Sequence, residues 1–254
     1  MREMISEQYI TEIKLKRDKV PSFDEYPFSL NAIRNLDSLK LHPAVTFLVG
    51  ENGSGKSTLL EAIAAAFGFN PEGGTKNFRF DTQASHSSLY EYLSLIKGIK
   101  KPKDGFFLRA ESFYNVATEI DRLGVVPSYG GKSLHAQSHG ESFLSLVLHR
   151  FSGNGLYLLD EPEAALSPSR QMSLITRIHD LVQKNSQFII ATHSPIIMAY
   201  PNAWIYLLNE NGIEETSYTE TEHYQVTKDF INNYKKMLKV LTEDWAFNRV
   251  RNGN

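Results

Sequence analysis

The sequence predicts an α/β fold with a mainly parallel sheet flanked by helices, antiparallel edge strands and a small helical lobe, on three observations. Four short apolar segments, 45–49, 106–110, 156–159 and 188–192, are rich in aliphatic and aromatic residues. Three of them are nearly continuous rather than alternating, the pattern of strands covered on both faces. Amphipathic helical stretches lie between them, as crossover connections require. Finally, 254 residues with 41% hydrophobic and 22% charged side chains are ordinary globular composition, long enough to bury a core without staples. The expectation is a single domain over 1–254, with a variable, helical lobe around 70–140.

Taken in order, residues 9–16 alternate in part and predict an antiparallel edge strand. The segment 45–49 predicts a buried strand, and 56–67, with an Ala-rich face, a helix. Residues 70–104, rich in Gly, Ser and Lys, read as a variable surface region, with Tyr90 and Tyr92 as packing residues on a helix. Phe143, Leu144, Val147, Leu148 and Phe151 recur at helical spacing. So do Met172, Ile175, Ile178 and Val182, after a Ser167 cap and Pro168. The segments 204–208 and 212–218 predict a hairpin turning at 209–211, followed by helix to about Leu241.

The absence of cysteine excludes a disulfide framework, thiolate metal sites and a cysteine nucleophile. A net charge of −2 with pI near 6.5 excludes a polycation drawn as a whole to nucleic acid or anionic lipid. No apolar run reaches the roughly 18 residues of a membrane span, and the N-terminus lacks a signal-peptide core. The expectation is a soluble cytoplasmic protein.

Chemistry is concentrated in four short runs. Gly50-Glu51-Asn52-Gly53-Ser54-Gly55-Lys56-Ser57-Thr58 satisfies the phosphate-loop pattern G-x-x-x-x-G-K-[ST], between a predicted strand and helix. Glycines let successive N–H groups turn toward an anion, and the helix presents its positive end there. Lys56 can reach β- and γ-phosphates, and Ser57 can ligate Mg²⁺. The apolar run 156–159 ends in Asp160-Glu161, suited to addressing a metal with one carboxylate and water with the other. Ser138-His139-Gly140-Glu141 reads as a capping box, and also as a second anion site at a helix N-terminus. His193 follows the strand 188–192, at the end where such sheets bind ligands.

In order and spacing these runs resemble the ABC-type ATPase superfamily over about residues 30–210: Gly140 to Asp160 is 20 residues and Asp160 to His193 is 33. The Asp-Glu-Pro-Glu-x-x-Leu-x-Pro run at 160–168 looks more closely like the transporter-independent AAA_21 and RecF-like branch, particularly its small stand-alone ATPases. The resemblance implies a P-loop NTPase fold, ATP and Mg²⁺ as cofactors, and Lys56, Ser57 and Asp160 as nucleotide and metal contacts. It implies Glu161 as catalytic base and His193 as γ-phosphate contact. It further implies Ser138 and Gly140 on the nucleotide of a second subunit, in an ATP-bound homodimer. The signature run departs from the usual one, keeping only its serine and last glycine, and Ser167 stands where an aspartate is common. For the glutamine usually found after an intermediate strand, Glu111 holds the nearest place and is a candidate metal contact, with Gln83 second.

An ATPase is the leading expectation, serving nucleic-acid maintenance or defence; a transporter motor and an ATP-switched protein scaffold are the alternatives. A P-loop kinase or GTPase would leave Ser138, Gly140 and His193 unexplained. The lysines 97, 100, 101 and 103 could touch nucleic-acid phosphates, but read better as a solvated loop. His86, His135 and His149 lack metal-ligand spacing.

Overall fold

The protein is described from a computed structural model covering residues 8–75 and 87–251, with side chains through 242. It divides into two compact units, Met1–Thr216 and Ser217–Asn254.

In the larger unit the strands are β1 (Ile10–Leu15), β2 (Ser38–Lys40), β3 (Val45–Val49), β4 (Leu93–Lys97), β5 (Asp104–Arg109), β6 (Gly155–Asp160), β7 (Gln187–Ala191), β8 (Trp204–Asn209) and β9 (Gly212–Thr216). The helices are α1 (Asn31–Arg34), α2 (Lys56–Phe67), α3 (Phe113–Arg122), α4 (His139–Arg150), α5 (Pro168–Val182) and α6 (Pro195–Met198). Six strands form one sheet in the order β5-β6-β7-β3-β8-β9, parallel except for the final β8–β9 hairpin. A three-stranded antiparallel sheet, β2-β1-β4, lies apart from it.

Every residue of β3, β6 and β7 is buried. Their continuous apolar runs therefore reflect cover on both faces. Order in the sheet makes β6, β7 and β3 neighbours, so the residues leaving their carboxyl ends, Asp160–Glu161, Thr192–His193 and Gly50, emerge side by side. Gln187 at the start of β7 joins the two sheets. Its Oε1 accepts the N–H groups of Tyr9 and Ile10, each at 3.0 Å, and its Nε2 donates to the carbonyls of Ile10 and His42 at 2.8 and 3.0 Å. A buried amide that satisfies four main-chain partners fixes where β1 sits.

Four local expectations are corrected. The strand at 9–16 is no edge: β1 is the centre of its sheet, paired on both sides. The region 70–104 contains β4, and Tyr90 and Tyr92 lie in a 3-10 turn, Ser88–Tyr92, rather than an α-helix. Leu148 on α4 is 50% exposed, the inner face being Phe143, Leu146 and Val147. On α5, Met172 faces solvent and the inner face is Gln171, Leu174, Ile178 and Leu181. The buried Gln171 shifts that face by one residue, because its amide is satisfied inside.

The smaller unit holds a 3-10 turn, Tyr218–Glu220, and helix α7 (Glu222–Arg251), interrupted at Asn233, where φ is −127° and ψ 23°. The helix runs ten residues beyond the expected end at Leu241. Among the described residues no helix is long and apolar enough to cross a membrane.

Candidate active site

The loop after β3 turns on glycines. Gly50 has φ +145°, and a Cβ there would strike the Leu208 carbonyl; Gly55, at +97°, is the left-handed cap from which α2 begins. These turns aim main-chain N–H groups into the loop, which the N-terminus of α2 makes still more positive. Lys56 is buried, its Nζ donating to the carbonyls of Gly50 at 2.9 Å and Glu51 at 2.8 Å. Burial lowers its pKa, and the carboxylates of Glu161, Asp160 and Glu163 oppose that shift. An open cavity of about 250 Å³ over the loop is lined by Tyr26, Leu30, Asn52, Gly53, Lys56 and Glu161, among others.

Below this mouth the Ser57 hydroxyl donates to Asp160 Oδ1 at 2.9 Å. Asp160 is 6% exposed. Burial raises its pKa to about 6, against the pull of Ser57 and Arg109. A buried carboxylate facing a hydroxyl fits Mg²⁺, a hard cation bound by one or two protein oxygens together with phosphates. Among the described residues no cage of three or more His, Cys, Asp or Glu competes with that pair for a metal.

Glu161 leaves β6 in the left-handed conformation, φ +49° and ψ +53°, a strain of roughly 1–2 kcal/mol for a residue with a Cβ. Its N–H donates to the Ala191 carbonyl at 2.9 Å, which pins the turn to the end of β7. The half-exposed carboxylate stands 3.7 Å from His193 Nε2. Burial, and the nearby Lys56 ammonium, lower the His193 pKa, outweighing Glu161; both favour the neutral ring. Lys56, Ser57, Asp160, Glu161 and His193 thus gather at three neighbouring strand ends.

Ser138 and Gly140 stand at the N-terminus of α4. Glu141 Oε2 accepts the Ser138 N–H at 3.1 Å and its hydroxyl at 2.7 Å, forming the expected capping box. Those bonds, hydroxyl first, hold the Glu141 pKa low. Ser138 and His139 are exposed, but Gly140 is packed: a Cβ would meet the Arg170 guanidinium and the Ala165 carbonyl. The glycine is required by that close approach.

Glu111 is not brought against Ser57. Its side chain is 85% exposed and its carboxylate lies 3.1 Å from Arg109 Nη2. Arg109 itself bridges inward, with Nη1 2.6 Å from Glu61 on α2 and Nε 3.6 Å from Asp160 Oδ2. His135 packs on the Tyr114 ring and bonds Thr118. The lysines 97, 100, 101 and 103 are exposed. Gln83 and His86 lie outside the described residues.

Three contributors were not legible in the sequence. Tyr26, 65% exposed on the cavity wall with its hydroxyl 3.2 Å from Thr58 Oγ1, comes from a loop without periodicity. Arg109 ends β5, where the register places it beside Asp160. Glu163 stood inside a recognised run, but its partners, Thr192 and His193, lie 29 and 30 residues away.

Comparison with known proteins adds the following. A family model described as an AAA domain matches residues 27–118, and one described as an AAA ATPase domain matches 141–198. The chain is 26% identical over 212 residues to a protein of Caldanaerobacter subterraneus subsp. tengcongensis described as an ABC transporter ATP-binding protein, covering 76% of this chain and 84% of that one. It is 40% identical over 73 residues to the DNA replication and repair protein RecF of Colwellia psychrerythraea, covering 28% of this chain and 18% of RecF. Two other curated relatives are matched over only 24% and 34% of their own lengths. Among solved structures, an SMC head domain from Thermotoga maritima aligns with a TM-score of 0.47 at 15% identity, over 82% of this chain and 99% of that one. The two family models, each over less than half of the chain, take in the phosphate loop from one side and Asp160, Glu161 and His193 from the other, and together with the relatives they show a chain similar to the ABC-type P-loop ATPases.

Proposed function

We propose that the protein hydrolyses MgATP by attack of water on the γ-phosphate, and that two ATP-bound copies pair across their nucleotides. The observation that carries this reading is the convergence, at three adjacent strand ends, of the Ser57–Asp160 pair at 2.9 Å and the Glu161–His193 pair at 3.7 Å beside Lys56. The loop N–H groups and Lys56 bind the phosphates. Ser57 and Asp160 would hold Mg²⁺, which when bound neutralises charge on the phosphate oxygens. Glu161, half-exposed at the cavity wall, accepts a proton from water, and His193 donates a hydrogen bond to the γ-phosphate. Left-handed Glu161 is aimed at the cavity instead of continuing along the strand.

Ser138 and the N–H groups opening α4 have no role within this one-chain site. Supplied by a second copy, they would meet the γ-phosphate, with the Ser138 hydroxyl exchanging Glu141 for the nucleotide. A two-fold arrangement satisfies both copies at once.

For the coupled process, the reading is nucleic-acid maintenance or defence, which the RecF relative supports; a transporter motor is supported by the transporter relatives. Trapping a Glu161→Gln variant with ATP in its native cells separates them. Nucleic acid should co-purify and be released by salt, because phosphate contacts weaken steeply with ionic strength. Recovery of a membrane protein in its place would support the transporter reading and contradict the first.

A further inference from the structure

Glu163 sits two residues beyond Glu161, in the 3-10 turn Pro162–Ala165. Its Oε2 accepts the Thr192 hydroxyl at 2.7 Å and its Oε1 accepts the His193 main-chain N–H at 2.5 Å. Thr192 is fully buried, and its hydroxyl in turn accepts the Ser194 N–H at 3.0 Å. A second strap runs parallel. Gln171 on α5 donates from Nε2 to the Leu166 carbonyl at 3.0 Å and accepts the Ser194 hydroxyl on Oε1 at 2.6 Å. Two loops from adjacent strands are thereby fastened, one bearing Glu161 and the other His193. A carboxylate accepting two short hydrogen bonds in a water-poor setting is a stiff connection.

We propose that Glu163 is a positioning residue, tying the main chain of His193 to the turn that carries Glu161 so that both face the γ-phosphate in fixed relation. The proposal rests on the roles given above to Glu161 and His193. Both Glu163 carboxylate oxygens are taken up by Thr192 and His193. Its contribution is alignment, and small misplacements of reacting groups are expensive in rate.

The experiment combines steady-state kinetics with the amide resonance of His193 in nucleotide-free protein. Glu163→Ala should lower kcat about 10- to 100-fold, with KM for ATP changed by less than about threefold. Glu163→Gln keeps an acceptor oxygen for the His193 N–H and should recover most of the rate. In a His193→Ala background, Glu163→Ala should cost less than about twofold, since the partner it positions is gone. The His193 amide proton, bonded to a carboxylate, should resonate well downfield, moving upfield fully in Glu163→Ala and partly in Glu163→Gln. An unmoved resonance in either variant overturns the proposal, as does an equal loss of rate with and without His193. Should Glu163→Ala not fold, Glu163→Gln supplies the same resonance test. Absence of ATP hydrolysis by the unsubstituted protein would defeat the hydrolytic reading alone, because the resonance reports the clasp without turnover.

Discussion

Glu161→Gln is expected to bind MgATP with nearly the affinity of the unsubstituted protein while releasing phosphate about 10²- to 10⁴-fold more slowly, the usual contribution of a positioned general base. Glutamine has the size and the hydrogen-bonding reach of the side chain it replaces, but it cannot take a proton. The main-chain bond from residue 161 to the Ala191 carbonyl, at 2.9 Å, does not depend on the side chain, so the turn keeps its form. Lys56→Ala should behave oppositely. Its ammonium lies among the loop carbonyls of Gly50 and Glu51, where it serves the bound ground state, and losing a charge-assisted contact should weaken ATP binding about 10- to 100-fold. Calorimetric titration beside a phosphate-release assay reads both. An equal loss of ATP binding in the two variants would remove Glu161 from the role of base.

The second large effect concerns assembly. In the Glu161→Gln background, MgATP should convert monomer to dimer and MgADP should do so much less, because in the proposed pairing it is the γ-phosphate that would meet the opposing α4 N-terminus. Adding Ser138→Glu should abolish that dimer while nucleotide binding by the monomer stays within about threefold. Ser138 is exposed and distant in sequence from the loop. A carboxylate there opposes the incoming phosphate without disturbing Lys56. Sedimentation velocity is the readout, and a Ser138→Glu protein that still dimerises with MgATP would contradict the pairing.

The parts of the fold open to sequence reasoning were those governed by one physical rule at a time. β3, β6 and β7 are buried on both faces, so their apolar runs were unambiguous. The helix after Gly55 began and ended as read, at Lys56 and Phe67. Error entered where a polar residue took a core position. Gln171 is buried because Leu166 and Ser194 satisfy its amide, and no hydrophobic count detects that, so Met172 was turned inward in error. β1 was misplaced for a related reason. Its partners, β2 of three residues and β4, Leu93-Ser94-Leu95-Ile96-Lys97 inside a polar region, are too short to stand out in the sequence, so nothing marked β1 as flanked on both sides.

The site divides the same way. Residues that act through local geometry, in the glycine loop and the capping box, announce themselves in consecutive positions. Arg109, Glu163 and Tyr26 act through contacts formed across the sheet or from an irregular loop. Arg109 reaches Glu61 across 48 positions, and Glu163 reaches Thr192 across 29. Only the strand order brings such groups together.

The central claim is that water, placed by Glu161, attacks the γ-phosphate of ATP at this site. Turnover in ¹⁸O-labelled water, followed by mass analysis of the products, tests it most directly. The account predicts solvent oxygen in each inorganic phosphate formed by the unsubstituted protein, none in ADP, and labelled phosphate formed about 10²- to 10⁴-fold more slowly with Glu161→Gln. Label retained on ADP, or a γ-phosphoryl group recovered on another acceptor with no labelled phosphate, would contradict it.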